Sequence, residues 1–192
     1  MRIRALATLA TVLLMSLAGT AAASPPAAAS LPTSDRQPDA VGDVVRTHAD
    51  GHTSTGFGRS DIRWVRMDNT RIGGRDRAVD VVVHLTEVDQ RMLRNHVRLT
   101  VRFVSGTGHV GRTVTKFDGG THGATTTVEG FGAENCIPYP RHAGARDNIA
   151  ISLTHVCWPR AKTVRAKVWV RYNFTPNGRA RDIGQAGPIA IH

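Results

Sequence analysis

Hydrophobic and polar side chains alternate through several short runs of this chain, most clearly in residues 164–174. The even positions of that run carry valine, alanine, tyrosine and phenylalanine, whereas the odd positions carry arginine, lysine, tryptophan and asparagine. Because successive side chains of a strand point to opposite faces, the run predicts a strand with one apolar and one mostly basic face. Residues 149–156 show a weaker form of this alternation and predict a second strand.

Further strands are predicted between turns that are rich in glycine, aspartate and asparagine. Residues 39–60 read as loop, residues 87–93 as one helical turn, and residues 188–191 as extended chain. Many short strands without a long helix favour an all-β fold, an antiparallel two-sheet sandwich of the immunoglobulin-like or jelly-roll-like kind with about seven to nine strands. The other predicted strands are residues 61–67, 79–86, 97–103, 113–117 and 125–131.

The beginning of the chain has the parts of a secretory signal peptide. Arg2 and Arg4 form a charged region, and an apolar region follows at residues 5–18. Residues 21–23 are a small-residue cleavage signal. The apolar region is shorter than the ~20 residues that cross a bilayer. We therefore expect a cleaved signal peptide at residues 1–23 and a secreted protein that does not span the membrane.

Two further segments follow the predicted signal peptide. Residues 24–38 are rich in alanine, proline and serine and carry almost no large apolar side chain, which is typical of a flexible linker. Residues 39–192 have the length of one ordinary domain and are long enough to bury a core. The sequence therefore predicts a single β-sandwich domain over residues 39–192.

The chain contains two cysteines, Cys136 and Cys157. In an exported protein such a pair predicts one disulfide, and its spacing offers no partners for a metal site or a catalytic thiol. Closing a loop of this size contributes ~3 kcal/mol to stability by the chain-entropy argument. Because the cysteines lie close to residues 149–156 and 164–174, we expect these two runs to form a stapled pair of core strands.

The chain is strongly basic, with 25 lysines and arginines against 15 acidic residues and a formal net charge of +10. A basic exported protein is suited to polyanions of the cell wall, although a solvated basic surface is the alternative. Nucleic acid is not an expected partner, because the chain carries an export signal and no recognition motif.

One cluster of basic positions is specific enough to predict a surface. Arg165, Lys167 and Arg171 share the outward side of one predicted strand, with Trp169 between them, and Arg98 and Arg102 share that side of another. If the strands lie in one sheet, they form a basic platform with an aromatic centre. Arginine pairs bidentately with phosphate and carboxylate, and tryptophan stacks on sugar rings or guanidinium groups. The alternative is a solvent-facing sheet whose arginine stems cover Trp169.

Catalytic motifs are scarce. The dinucleotide-type pattern Gly106-x-Gly108-x-x-Gly111 is followed by β-branched residues rather than a helix, so it predicts a hairpin turn. Asp118 and Glu129 are a conceivable glycosidase pair. No nucleophile elbow, zinc-protease motif or phosphate-binding loop occurs. We expect a binding module without a cofactor rather than an enzyme, with a secreted hydrolase as the alternative.

Histidines and acids near the start of the predicted domain are the candidates for a metal site. His48 and His52 share a predicted loop with Asp43 and Asp50. Such residues can bind zinc or copper, but exposed polar loop residues are the competing interpretation.

The motif Asp39-x-x-Gly42-Asp43, the Asp61-Ile62 pair that opens a strand, and the cysteine pair around a strand together resemble small secreted actinobacterial β-proteins of unknown function. More distantly, this opening is similar to the DOMON and family-9 carbohydrate-binding-module sandwiches. The resemblance implies a β-sandwich, a carbohydrate ligand held by aromatic stacking, and calcium bound by acids near the N-terminus. Asp39, Asp43 and Asp61 are the acids that it marks.

Overall fold

The computed structural model describes residues 30–56, 58–74, 76–88, 93–94, 97–117, 124–131, 135–143, 146–158, 160–174 and 178–191. Within these residues the chain forms twelve strands, all paired antiparallel. The strands are β1 (Ser34–Pro38), β2 (Val44–Thr47), β3 (Thr53–Gly56), β4 (Ile62–Ile72), β5 (Asp76–Leu85), β6 (Arg98–Ser105), β7 (Val110–Phe117), β8 (Ala124–Glu129), β9 (Pro138–Ala143), β10 (Asn148–Thr154), β11 (Thr163–Asn173) and β12 (Arg179–Ala190).

Two antiparallel sheets pack face to face as a sandwich, which confirms the predicted fold class. The five-stranded sheet has the order β1-β4-β5-β10-β9, and the seven-stranded sheet has the order β3-β2-β12-β11-β6-β7-β8. Among the described residues no helix is long and apolar enough to cross a membrane. The predicted signal peptide lies outside the described residues, as does most of the helical turn expected at residues 87–93.

Alternation builds the core, as the sequence predicted. On β11 the even positions Val164, Val168 and Val170 are buried, whereas the odd positions point outward and are exposed or half-buried. Burying each large aliphatic side chain contributes about 1.5–3 kcal/mol. Opposite β11 and β6, the five-stranded sheet supplies the other half of the core through the aliphatic side chains of β4, β5 and β10.

Besides β1, which is described below, four strands differ from the sequence prediction. Strands β2 and β3 form a hairpin within residues 39–60, which were expected to be loop, and β9 and most of β12 were not predicted. Over residues 180–186 of β12 the buried positions are occupied by Ala180, Asp182, Gly184 and Ala186, so no hydrophobic alternation marks this part of the strand. A Cβ on Gly184 would lie 2.6 Å from the Val65 side chain, so the glycine permits close approach of the two sheets.

The predicted end of the linker at residue 38 is wrong, because residues 34–38 form strand β1. Ser34–Pro38 was assigned to the flexible segment 24–38, yet it pairs with β4, and the compact unit begins at Leu31. The side chains of β1 are mostly exposed. Backbone pairing and polar contacts hold the strand instead, including a hydrogen bond of 2.6 Å from the Gly187 N–H to Asp35 Oδ2. Such contacts leave no hydrophobic signal in the sequence.

The predicted disulfide is present, with the Cα atoms of Cys136 and Cys157 4.7 Å apart. Its expected role is corrected, because β10 and β11 belong to opposite sheets and are not stapled to each other. Cys136 precedes β9, and Cys157 lies in a short 3₁₀ turn, His155–Cys157, that follows β10. Since β9 pairs with β10, the disulfide closes the open end of that hairpin.

Candidate functional sites

The outward face of the seven-stranded sheet unites the predicted basic residues. Strand β11 lies between β6 and β12, and its register places Lys167 opposite Arg102 and Arg171 opposite Arg98. Arg165 lies opposite Val104 on the same face. We call this outward surface of β12, β11, β6 and β7 the basic face.

Cations on the basic face form two rows that run across the strands. The first cation row consists of Arg181, Arg171, Arg98 and Lys116, each directly opposite the next on neighbouring strands. The second cation row consists of Lys167, Arg102 and Arg112. The two rows are four residues apart along β11, or about 13 Å at ~3.3 Å per residue. Neighbouring strands are about 4.8 Å apart, so the first row extends over about 14 Å.

An uncharged strip separates the two cation rows. It consists of Ile183, Trp169, Thr100 and Val114, which are again direct neighbours across the strands. A surface depression of about 330 Å³ lies here, lined by five arginines of the two rows together with Thr100 and Trp169. The ammonium group of Lys167 lies 5.6 Å from the centre of the Trp169 ring. Positive charge therefore surrounds an aromatic and apolar centre.

Trp169 differs from the other two tryptophans in its surroundings. Trp158 is buried and packs against Phe103, with ring centres 5.3 Å apart. Trp64 is stacked on His84 at 4.9 Å and covered by the guanidinium of Arg36 at 4.2 Å. Trp169 is half-buried and borders the depression. It is therefore the tryptophan best placed to contact a ligand.

The charges of the two cation rows are poorly compensated. Within the described residues, the ion pair between an acid and these rows is Arg112 with Glu129, at 3.7 Å and between exposed side chains. Partial burial lowers the pKa of Arg171, and the neighbouring charges of Arg98, Arg179 and Arg181 lower it further. Like charges directly opposite each other destabilise a sheet. A bound anion would relieve this repulsion.

Four aspartates meet at a second place, where the two sheets approach each other. Asp39 and Asp43 lie between β1 and β2, and Asp182 lies on β12. Their carboxylate oxygens are within 4.8 Å of one another. Asp61, directly before β4, is fully buried, and its Oδ2 accepts the Gly42 N–H at 3.1 Å. We call Asp39, Asp43, Asp61 and Asp182 the carboxylate cluster.

Burial and mutual repulsion act on the carboxylate cluster. Burial raises the pKa of Asp182 from 3.8 to about 7; hydrogen bonds from two backbone N–H groups oppose this shift, and the charges of Asp43 and Asp39 add to it. Burial likewise raises the pKa of Asp39 to about 6, with further contributions from Asp43 and Asp61. In the described part of the chain, no lysine or arginine forms an ion pair with the cluster.

The structure separates the predicted metal candidates. It brings Asp39 and Asp43 together with Asp182 and places Asp61 beside them. The two histidines lie instead at the turn of the β2–β3 hairpin. The Nε2 of His48 is 3.1 Å from Ser54 Oγ, and its ring contacts His52 and Phe174. Among the described residues, the group of possible metal ligands does not include these histidines.

Sequence reasoning missed several residues of both sites. Arg112, Lys116 and Arg181 complete the cation rows, and Asp182 completes the carboxylate cluster. Arg112 and Lys116 alternate with buried threonines on β7, a polar pattern that could have revealed them. Asp182 is an acid within a run in which arginines alternate with small residues. Such a run predicts a loop rather than a strand.

The geometry of the described residues gives little support to the glycosidase pair or to a dinucleotide-binding loop. Asp118, one member of the conceivable glycosidase pair, lies outside the described residues. Glu129 is exposed on β8 beside Arg112. Gly106 and Gly108 lie in the turn between β6 and β7, where Gly108 has a φ of 82°, so the glycine pattern is a hairpin turn as predicted.

Comparisons with protein-family models, with curated proteins and with solved structures find no match to this chain. The resemblance to the DOMON and family-9 sandwiches therefore stays a prediction.

Proposed function

We propose that this protein is an exported, non-enzymatic binding module that holds an anionic polymer of the cell envelope on its basic face. The observation that supports the proposal most strongly is the pair of cation rows on either side of the Trp169 strip. Repulsion within these rows has a cost in the free protein. Binding an anion would remove this repulsion, and the free energy gained in this way would contribute to the affinity.

The chemistry of the rows suits phosphate or carboxylate groups. Arginine offers two parallel N–H donors to either anion, and lysine adds a mobile point charge. Trp169 presents an aromatic surface between the rows, on which a sugar ring can stack. A polymer with anionic groups along a sugar-containing backbone would contact the cations and the aromatic strip at the same time.

The extent of the basic face favours a polymer over a small ligand. Four cations of the first row and three of the second occupy four neighbouring strands. They span about 14 Å across the strands and about 13 Å along them. A single small anion would contact only two or three of these cations and leave the others uncompensated.

The rest of the chain is consistent with a role outside the cell. The Cys136–Cys157 disulfide is of the kind that persists in oxidising compartments. The predicted signal peptide supports export. For the sugar alternative the relevant observation is Trp169 itself, since its half-buried ring borders the depression.

Three soluble polymers test the proposal and separate it from plain sugar binding. Polyphosphate carries charge without rings, dextran carries rings without charge, and polygalacturonate carries both. We expect polygalacturonate to bind most tightly, polyphosphate to bind with salt-sensitive affinity, and dextran not to bind. Trp169→Ala should weaken polygalacturonate binding more than polyphosphate binding, because only the sugar polymer stacks on the ring.

Two double variants with equal charge change provide the control. The face variant, Arg102→Glu with Arg181→Glu, reverses one exposed cation in each row. The control variant, Arg71→Glu with Arg77→Glu, reverses two exposed arginines that lie opposite each other on β4 and β5. We expect the face variant to lose at least about tenfold in affinity for both anionic polymers while the control variant loses much less. Equal losses would refute the basic face as the site, and binding of dextran alone would favour the sugar alternative.

A further inference from the structure

We propose that the carboxylate cluster is a site for a hard divalent cation of the calcium type, which joins the two sheets of the sandwich. This inference is independent of the polymer-binding role, because it uses different residues: Asp182 is buried on the inward side of β12, whereas its neighbours Arg181 and Ile183 lie on the outward basic face. It rests on four acids from three distant segments of the chain, Asp39 and Asp43, Asp61, and Asp182.

The first argument is charge. Asp61 is fully buried and Asp182 is 3% exposed, and Asp39 and Asp43 lie close to them. Buried acids are normally paired with a cation, because taking an isolated carboxylate out of water is costly. Among the described residues no basic side chain performs that function here. In a protein with a net charge of +10, a cluster of acids without a basic partner is all the more unusual.

The second argument is an unpartnered oxygen. Oδ2 of Asp61 accepts the N–H of Gly42, in the segment that carries Asp39 and Asp43, whereas Oδ1 is buried and has no hydrogen-bond partner among the described residues. Within the same part of the chain, Oδ2 of Asp39 is also buried and without a hydrogen-bond partner. Buried polar atoms are almost always satisfied, so two orphaned carboxylate oxygens in one place indicate a missing electron-pair acceptor. A metal ion fulfils that requirement.

The chemistry of the donors selects the metal. All the candidate ligands are carboxylate oxygens, which hard cations prefer over soft ones. Calcium accepts six to eight oxygen ligands in flexible geometry, whereas magnesium requires near-ideal octahedral geometry and keeps several waters. Ligands gathered from separate loops and strands, one of them exposed, fit the flexible geometry of calcium better.

The position of the cluster gives the cation a structural role. Asp182 belongs to the seven-stranded sheet, and Asp61 directly precedes β4 of the five-stranded sheet. A cation shared by these residues would connect the two layers and fix the segment between β1 and β2. Binding would therefore appear as stabilisation of the folded state, whatever ligand the basic face takes.

Calorimetric titration and thermal unfolding test this site with metal salts alone. After treatment with a chelator, the mature protein is titrated with calcium chloride and, separately, with magnesium chloride. We expect one calcium ion per chain and a rise of the melting temperature of at least about 4 °C at saturating calcium, with a smaller response to magnesium. No binding heat together with no thermal shift for either metal would overturn the site, and a stronger response to magnesium would overturn the assignment to calcium.

Three single variants locate the ion. Asp43→Asn removes one charge from an exposed member that makes no hydrogen bond within the described residues, so the fold should be kept. Asp182→Asn keeps one acceptor oxygen for the backbone while it removes the charge. Both should weaken calcium binding at least about tenfold. Asp76→Asn, at an exposed position on β5, is the matched control and should bind as the unaltered protein does. Unchanged affinity in Asp43→Asn and Asp182→Asn would contradict the proposal.

Discussion

The backbone N–H of Ile62 on β4 donates a hydrogen bond to Oδ2 of Asp182 on β12 across 2.6 Å. The two residues belong to different sheets, so a buried acid takes part directly in joining the layers of the sandwich. The Oδ1 of the same carboxylate accepts the N–H of Ile183. Asp182 is therefore both a structural acceptor and a member of the carboxylate cluster.

The raised pKa values of Asp182 and Asp39 predict a pH dependence of stability in the presence of a chelator. The pKa of Asp182 is about 7 and that of Asp39 about 6, both above their ordinary value of 3.8. The folded chain therefore holds protons that the unfolded chain has released, and the contribution of these groups to stability is full below pH 3.8. It is lost as the pH rises through about 6 and 7.

Urea unfolding at about pH 5 and about pH 8 measures this effect. We expect the difference in unfolding free energy between the unaltered protein and Asp182→Asn to change with pH, with the unaltered protein losing more stability toward pH 8. The charges that face Asp182 are those of Asp43 and Asp39. Parallel pH profiles for the two proteins would show that Asp182 does not titrate in this range.

The disulfide should stabilise the fold through the β9–β10 hairpin. Cys136 and Cys157 are 21 positions apart in sequence, and removing both by Cys136→Ser with Cys157→Ser should lower the unfolding free energy by about 3 kcal/mol. Urea unfolding provides the measurement, with the reduced unaltered protein as the reference. If thiol titration of the denatured, unreduced protein finds two free thiols, the bond does not form.

Because the cations of the first row repel one another, we expect that removing one of them stabilises the fold but weakens the binding of an anion. Arg171 faces Arg98 and Arg181 on its two neighbouring strands. Arg171→Gln should therefore raise the melting temperature at low ionic strength while it weakens polyphosphate binding. Added salt should reduce the difference in melting temperature, because it screens the repulsion. A matched Arg63→Gln variant on β4 should change neither quantity much, and a lower melting temperature for Arg171→Gln would argue against stored repulsion.

Gly184 is a buried position of β12 that lies close to Val65 of the other sheet. Since an added Cβ would lie 2.6 Å from Val65, Gly184→Ala should destabilise the protein by about 1–3 kcal/mol through overpacking. The neighbouring exposed residue Gln185, changed to alanine, is the control and should stay within about 0.5 kcal/mol. Urea unfolding distinguishes the two variants. Equal unfolding free energies would mean that the two sheets accommodate the added methyl group without loss of stability.

Hydrophobic alternation predicted the central strand β11 most clearly. In β11 each inward position is apolar, so the alternation could be recognised without neighbours. In β12 the inward positions from Ala180 to Ala186 are small or acidic, and in β1 the side chains are mostly exposed. Backbone pairing and close sheet packing stabilise these two strands, and neither leaves a local hydrophobic pattern. Their existence depends on partners that are distant in sequence.

The candidate sites were predictable to the extent that they lie on recognised strands. Trp169 and the cations beside it followed from the alternation of β11, and Arg98 and Arg102 from that of β6. Their arrangement in rows depends on strand register, which sequence periodicity does not fix between distant strands. Asp182 is 121 positions from Asp61 and lies on an unrecognised strand, so only the folded chain brings it to the carboxylate cluster.

Co-sedimentation with isolated bacterial cell wall over rising salt tests the polymer-binding proposal most directly. We expect the unaltered protein and the control variant Arg71→Glu with Arg77→Glu to pellet with the wall at about 50 mM sodium chloride and to be released by about 500 mM. The face variant Arg102→Glu with Arg181→Glu should remain in solution throughout. Absence of binding at low salt, or equal pelleting of the face and control variants, would contradict the proposal and leave the basic face as a solvated surface.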